Sequence, residues 1–119
     1  MVVPFIPSID FETSLAFYKA LGFVFEATRE GDSKTANGLL EDNEIILQDY
    51  YVKDWAENSM YVMSVSSLDD FVVNVQKVQK DYPMIKLRGP EDFGWGRQIH
   101  LIDPAGVLWH VFNSPTVTE

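Results

Sequence analysis

The chain contains no cysteine. Disulfides and thiolate metal sites are therefore excluded, and cysteine usage leaves the redox compartment open. Basic residues are scarce, 9 Lys and Arg against 18 Asp and Glu, giving a net charge of −9. That balance excludes the basic footprint that phosphates require, so no nucleic acid is expected as a partner. It suits a soluble surface and is also compatible with a cationic ligand drawn into an acidic cleft. No apolar run approaches the roughly 20 residues of a membrane span, so no membrane partner is expected. The segment Met1-Val2-Val3-Pro4-Phe5-Ile6-Pro7 lacks the basic start and apolar core of a secretory signal, and the cytoplasm is the expected location. There is no phosphate-binding Gly-Lys-Ser/Thr loop, no Gly-x-Ser-x-Gly elbow and no cysteine nucleophile. Glu41, Asp42 and Glu44 do not have calcium-loop spacing and read as a solvated hairpin end.

What is present suffices for one folded unit. A chain of 119 residues buries roughly 65% of its unfolded surface. The 46% hydrophobic content, with 8 Phe, 5 Tyr and 3 Trp, can fill such a core. Val2 to Ile6 is a short β-type stretch that Pro4 and Pro7 restrict to an edge or a strand end. Asp10 is placed as N-cap of a helix over 11–21, with Phe11, Leu15, Tyr18 and Leu21 on one face and Gly22 as C-cap. Strands over 23–28, 34–40 and 44–49 follow, the first two separated by a turn at Gly31-Asp32-Ser33. The order then repeats. Met60 to Val65 is a strand, and Ser66 or Ser67 caps a helix that buries Leu68, Phe71 or Val72, Val75 and Val78. Asn74, Lys77 and Lys80 face water, and Pro83 stops the helix. A strand over 85–88 leads into a loop over 89–94. Strands over 97–102 and 107–112 form a hairpin about Asp103-Pro104-Ala105-Gly106, where Pro fixes φ and Gly supplies a positive φ. Two β-α-β-β-β units, offset by about 57 residues, make an internal duplication of topology.

Particular residues inside that order resemble the glyoxalase/bleomycin-resistance/dioxygenase group, the vicinal-oxygen-chelate (VOC) superfamily. Asp10-Phe11-Glu12-Thr13-Ser14-Leu15-Ala16-Phe17-Tyr18, with Leu21-Gly22-Phe23, is similar to the group's first helix and its exit. Gly94-Trp95-Gly96-Arg97, then Asp103-Pro104-Ala105-Gly106 and His110, resembles the end of the bleomycin-resistance proteins, the nearest branch. The resemblance covers nearly the whole chain. It implies an α+β fold of two tandem β-α-β-β-β modules, about 1–55 and 56–119, within a single domain over 1–119. Their sheets would cup around one ligand cleft. It also implies a homodimer that completes the cleft, often with an exchanged N-terminal arm. Pro4 and Pro7 lie where such an arm would hinge, or simply punctuate an edge strand.

Enzymes of the superfamily hold a divalent metal through the first and fourth strands of each module. The matching positions here are Val3, Gln48, Met60 and His110. Val3 has no donor atom and a thioether is a poor ligand for hard or borderline ions, leaving two candidates where catalytic sites need three. No metal, no cofactor and no catalytic residue is therefore expected. His100 and His110 sit on opposite arms of the terminal hairpin. Alternation turns His110 into the cleft together with Leu108 and Phe112, and turns Trp109 away into core or interface. Tyr50, Tyr51 and Trp55 lie between the modules, and Phe93 and Trp95 in the last long loop, where aromatic faces can hold a planar ligand. Trp95 is either such a platform, as its resemblance to the drug-stacking loop implies, or a dimer contact. The expected ligand-binding set is Trp95, Phe93, His110, Gln48, Tyr50 and Trp55. The expected function is metal-free sequestration of a planar or cationic, antibiotic-like small molecule. The alternative is a divergent metal-dependent lyase or dioxygenase.

Overall fold

The computed structural model describes residues 2–26, 28, 29, 31, 34–92 and 96–114. Along the chain run β1 (Phe5–Pro7), α1 (Phe11–Leu21), β2 (Val24–Phe25), β3 (Thr35–Leu40), β4 (Asn43–Gln48) and α2 (Lys53–Asn58). Then come β5 (Met60–Val65), α3 (Leu68–Val78), β6 (Lys86–Asp92), β7 (Arg97–Ile102) and β8 (Leu108–Asn113). The strands form two four-stranded sheets with orders β1-β4-β3-β2 and β5-β8-β7-β6. In each sheet the first and fourth strands pair parallel and the remaining neighbours pair antiparallel. The duplicated β-α-β-β-β order is thus the architecture of the molecule, an α+β fold.

The two long helices, α1 and α3, form because their apolar residues recur at helical spacing. In α1 the buried set is Phe11, Ser14, Leu15, Phe17, Tyr18 and Leu21. Phe17 widens the expected stripe, because α1 packs on α3 as well as on its own sheet. Gly22 ends α1 with φ 116°, and Phe23 N–H reaches back to Tyr18 C=O at 3.0 Å. Asp10 occupies the N-cap, yet its carboxylate accepts the Thr13 hydroxyl at 2.7 Å and makes no cap bond. In α3 both Phe71 and Val72 are buried, and Ser67 is the cap, its hydroxyl accepting from Asp70 N–H at 3.2 Å. The helix ends at Val78, before Pro83. Asn74 is only half-exposed, since its amide donates to Ala20 C=O at the end of α1, 2.9 Å away.

Several boundaries differ from the expectation. The strand expected over 2–6 is β1 at Phe5–Pro7, and the one expected over 23–28 is only Val24–Phe25. Pro4 C=O accepts from Ile46 N–H at 3.0 Å, so Pro4 precedes and Pro7 ends an edge strand that pairs with β4. The stretch expected as a loop over 89–94 belongs to β6 as far as Asp92. The pairing shifts between Arg88 and Glu91, and such an irregularity lets a strand continue past proline. The helix α2 has only six residues and buries Ala56 alone, too little for a periodic signal. Glu41 is more than a solvated hairpin end, because its carboxylate accepts Ser66 N–H at 2.8 and 3.1 Å and ties the modules together.

One face of each sheet packs on the helices. Ile45 and Leu47 of β4, Met63 and Val65 of β5, Ile99 and Leu101 of β7, and Trp109 and Val111 of β8 are buried there. The alternate residues face outward and line the concave surfaces. None of the helices among the described residues is long and apolar enough to cross a membrane.

Candidate functional site

Alternation along β8 decides the site. Trp109 and Val111 enter the core, and His110 and Phe112 turn to the opposite face. There they line a cavity of about 800 Å³ with Met60 and Val62 of β5, Leu68 and Asp69 at the start of α3, and Gly96, Arg97 and Gln98. Asn113 completes the lining. This volume lies within the roughly 300–1,000 Å³ typical of small-molecule sites. The charged groups at its wall, Arg97 and Asp69, pair with each other at 3.2 Å.

On the cavity's side of the sheet His110 faces His100 directly across the β7–β8 ladder, their ring centroids 4.4 Å apart. Gln98, two residues before His100 on the same face, is buried between them. Its amide nitrogen lies 3.2 Å from His100 Nε2 and 3.3 Å from His110 Nδ1. Burial first, then the neighbouring His110 and Arg88, holds His100 below the usual imidazole range.

The expected cleft is divided in the single chain. Gln48, Tyr50 and Trp55 do come together, but in a separate concavity of about 320 Å³ with Phe5, Pro7, Val52, Ser59 and Tyr61. The Tyr50 and Trp55 rings are 6.4 Å apart. Of the expected residues that are described, only His110 lines the larger cavity. Tyr51 packs against the core instead, and Trp109 is a core residue, 3% exposed. Phe93 and Trp95 lie outside the described residues. Gln98 was missed, although the alternation Gln98-Ile99-His100-Leu101 carries the same signal that placed His110.

The metal positions also shift. Val3 precedes β1, and Pro7 is the residue opposite Gln48. Met60 stands opposite Leu108, and Val62 is the partner of His110. Pro7 and Val62 carry no side-chain donor. Gln48 and His110 line different concavities, so within one chain the four positions do not gather into a set that fits a divalent metal.

The two stretches that carry the family resemblance touch. Tyr18 Oη, near the end of α1, donates to Asp103 Oδ2 in the β7–β8 turn and accepts Trp109 Nε1–H at 2.9 Å. Asp103 Oδ1 accepts the N–H groups of Ala105 at 2.8 Å and Val107 at 2.9 Å, closing the turn. Gly106 takes φ 93° there, which a residue with a Cβ rarely adopts. Burial dominates the electrostatics of this clip. It raises the Asp103 carboxyl to about 6 and the Tyr18 phenol well above its ordinary range. The clip fixes the hairpin that bears His100 and His110 to the first module's helix.

No protein-family model matches the chain, and no curated protein matches it in sequence. Solved structures do match. A bleomycin resistance determinant encoded on transposon Tn5 superposes with a TM-score of 0.79 at 24% identity, covering 98% of each chain. The bleomycin-binding protein of Streptomyces verticillus, solved with copper(II)-bleomycin, gives 0.77 at 18% identity over 96% of this chain and 95% of that one. A fosfomycin resistance protein of Listeria monocytogenes gives 0.74 at 12% identity over 93% and 90%. Near-complete coverage on both sides means that the whole chain, with its duplicated modules and terminal hairpin, has the fold of the bleomycin-resistance and glyoxalase superfamily.

Proposed function

We propose that the protein binds an antibiotic-like small molecule without a metal and acts by sequestering it. The observation that carries this reading is the roomy, largely apolar cavity over β5 and β8, with a buried polar cluster on its floor. A shaped apolar cavity with a few convergent polar groups is what small-molecule binding requires. The fold adds support, since a solved neighbour holds copper(II)-bleomycin. Phe93 and Trp95 are proposed contacts because they lie within three residues, in sequence, of the cavity residue Gly96. The test is a thermal-shift screen of bleomycin and planar aromatic compounds, with and without chelator. A ligand that prefers the native state at a hundredfold excess over its dissociation constant stabilises by about 2.7 kcal/mol. Stabilisation that survives chelation supports the reading. One equivalent of bound metal, lost with a fall in melting temperature, contradicts it and favours a metal-dependent lyase or dioxygenase.

The ligand-binding unit in this proposal is a homodimer. Both concavities are open, and their walls expose Trp55 at 66%, Val62 at 65% and Met60 at 62%. Clustered large apolar side chains in water mark an interaction surface. A second copy laid over them would cover both concavities and bring Gln48, Tyr50 and Trp55 of one chain toward His110 of the other. Light scattering at micromolar concentration is expected to give twice the 13.6 kDa chain mass. A mass of one chain at every concentration contradicts the shared cleft.

A further inference from the structure

The polar groups on the cavity floor determine one another's protons. An amide nitrogen carries two hydrogens and accepts none, so Gln98 Nε2 can donate once to His100 Nε2 and once to His110 Nδ1. Both ring nitrogens are then acceptors. Each imidazole is neutral, with its proton on the opposite nitrogen: Nδ1 in His100 and Nε2 in His110. The 4.4 Å separation of the rings opposes charge on both at once. His110 Nε2 is buried and has no hydrogen-bond partner among the described residues. A buried donor without a partner is costly, and the ring belongs to the cavity wall, so an occupant of the cavity is the group placed to pair it.

The charge of the cavity points the same way. Although the chain carries −9, the described lining contains one acid and one base, Asp69 and Arg97, bonded to each other. Met60, Val62, Leu68 and Phe112 supply apolar surface. Among the described lining residues nothing offers an unbalanced negative charge to a cation.

The geometry points to an uncharged, largely apolar ligand that presents a carbonyl-type oxygen to the Nε2 proton of His110. Gln98 and His100 are positioning residues that hold that proton in place. The inference rests on the binding function proposed above and narrows it from planar or cationic to neutral and hydrogen-bond accepting.

Three matched bicyclic probes test it: 1-tetralone, which has the carbonyl; tetralin, which lacks it; and 1-aminotetralin, a cation at neutral pH. They are titrated into protein labelled with 15N at its two histidines. The free protein is expected to show two neutral rings, with His110 protonated on Nε2. Tetralone is expected to shift the His110 Nε2 resonance and to bind at least about tenfold more tightly than either other probe. Its affinity should hardly change between about 50 and 500 mM salt, as expected without ion pairing. His110→Phe should erase the advantage of tetralone over tetralin while tetralin still binds. If that variant does not fold, the wild-type tautomer and the tetralone-induced shift still decide. An Nδ1-protonated or charged His110, a preference for 1-aminotetralin, an advantage that survives His110→Phe, or no binding of any probe at millimolar levels overturns the inference. If no probe binds while bleomycin stabilises the protein, this inference alone fails. If bleomycin and every planar compound in the screen also fail, the binding function fails with it.

Discussion

Replacing Tyr18 by phenylalanine is expected to lower stability by about 3 kcal/mol near neutral pH, although only one oxygen is removed. That oxygen has two partners in a fully buried setting. Trp109 Nε1–H loses its acceptor, and Asp103 Oδ2 loses the donor that compensates its burial. An unsatisfied buried donor costs roughly 1–3 kcal/mol, and a hydrogen bond to a charged group contributes about 1.5–3. The ring stays, so no cavity opens and the apolar contacts with Phe17, Phe23 and Trp109 persist. The melting temperature of a domain this size should fall by about 10 °C. A loss below about 1 kcal/mol by denaturant unfolding would mean that the clip between the modules contributes little.

The second large effect is a stability that rises as the solution is acidified. Asp103 titrates near 6 in the folded chain, against 3.8 when exposed, because burial opposes the carboxylate more than its hydrogen bonds favour it. Between those values the native state binds more protons than the unfolded state, so stability falls as pH rises through the window. The span is about two pH units at 1.36 kcal/mol each, or about 3 kcal/mol. Asp103→Asn isolates this contribution from the other 17 acidic residues, because both proteins share them. Wild-type stability, relative to the variant, should grow by up to about 3 kcal/mol from pH 7.5 to pH 4. Parallel profiles for the two proteins would show that Asp103 titrates no differently folded and unfolded.

Local patterns carried most of this fold. The helical spacing of Phe11, Leu15, Tyr18 and Leu21, and of Leu68, Val75 and Val78, was legible because each helix buries a continuous stripe. The Asp103-Pro104-Ala105-Gly106 turn was legible because Pro and Gly restrict the backbone there. Short edge strands and α2 were less so, since three to six residues give periodicity little to work with. The inward turn of His110 followed from alternation alone, which also turned Trp109 away but left core and interface open for it. The division of the expected cleft did not. Whether Gln48 and His110 share a cavity depends on how the two sheets lie against each other, through contacts between residues far apart in sequence. The metal positions show the same limit, because parallel pairing of β5 with β8 sets Val62, two residues beyond Met60, opposite His110.

Reversible sequestration makes a demand that a metal-dependent enzyme does not meet: the ligand must leave as it entered. Equilibrium dialysis of chelator-treated protein against bleomycin and 1-tetralone, followed by mass spectrometry of the retained compound, tests this directly. The predicted result is saturable retention of at least one compound, one molecule per cleft, released on denaturation with its mass unchanged. Failure to retain either compound, or release of a compound whose mass has changed, would contradict a protein that binds its ligand and does nothing further to it.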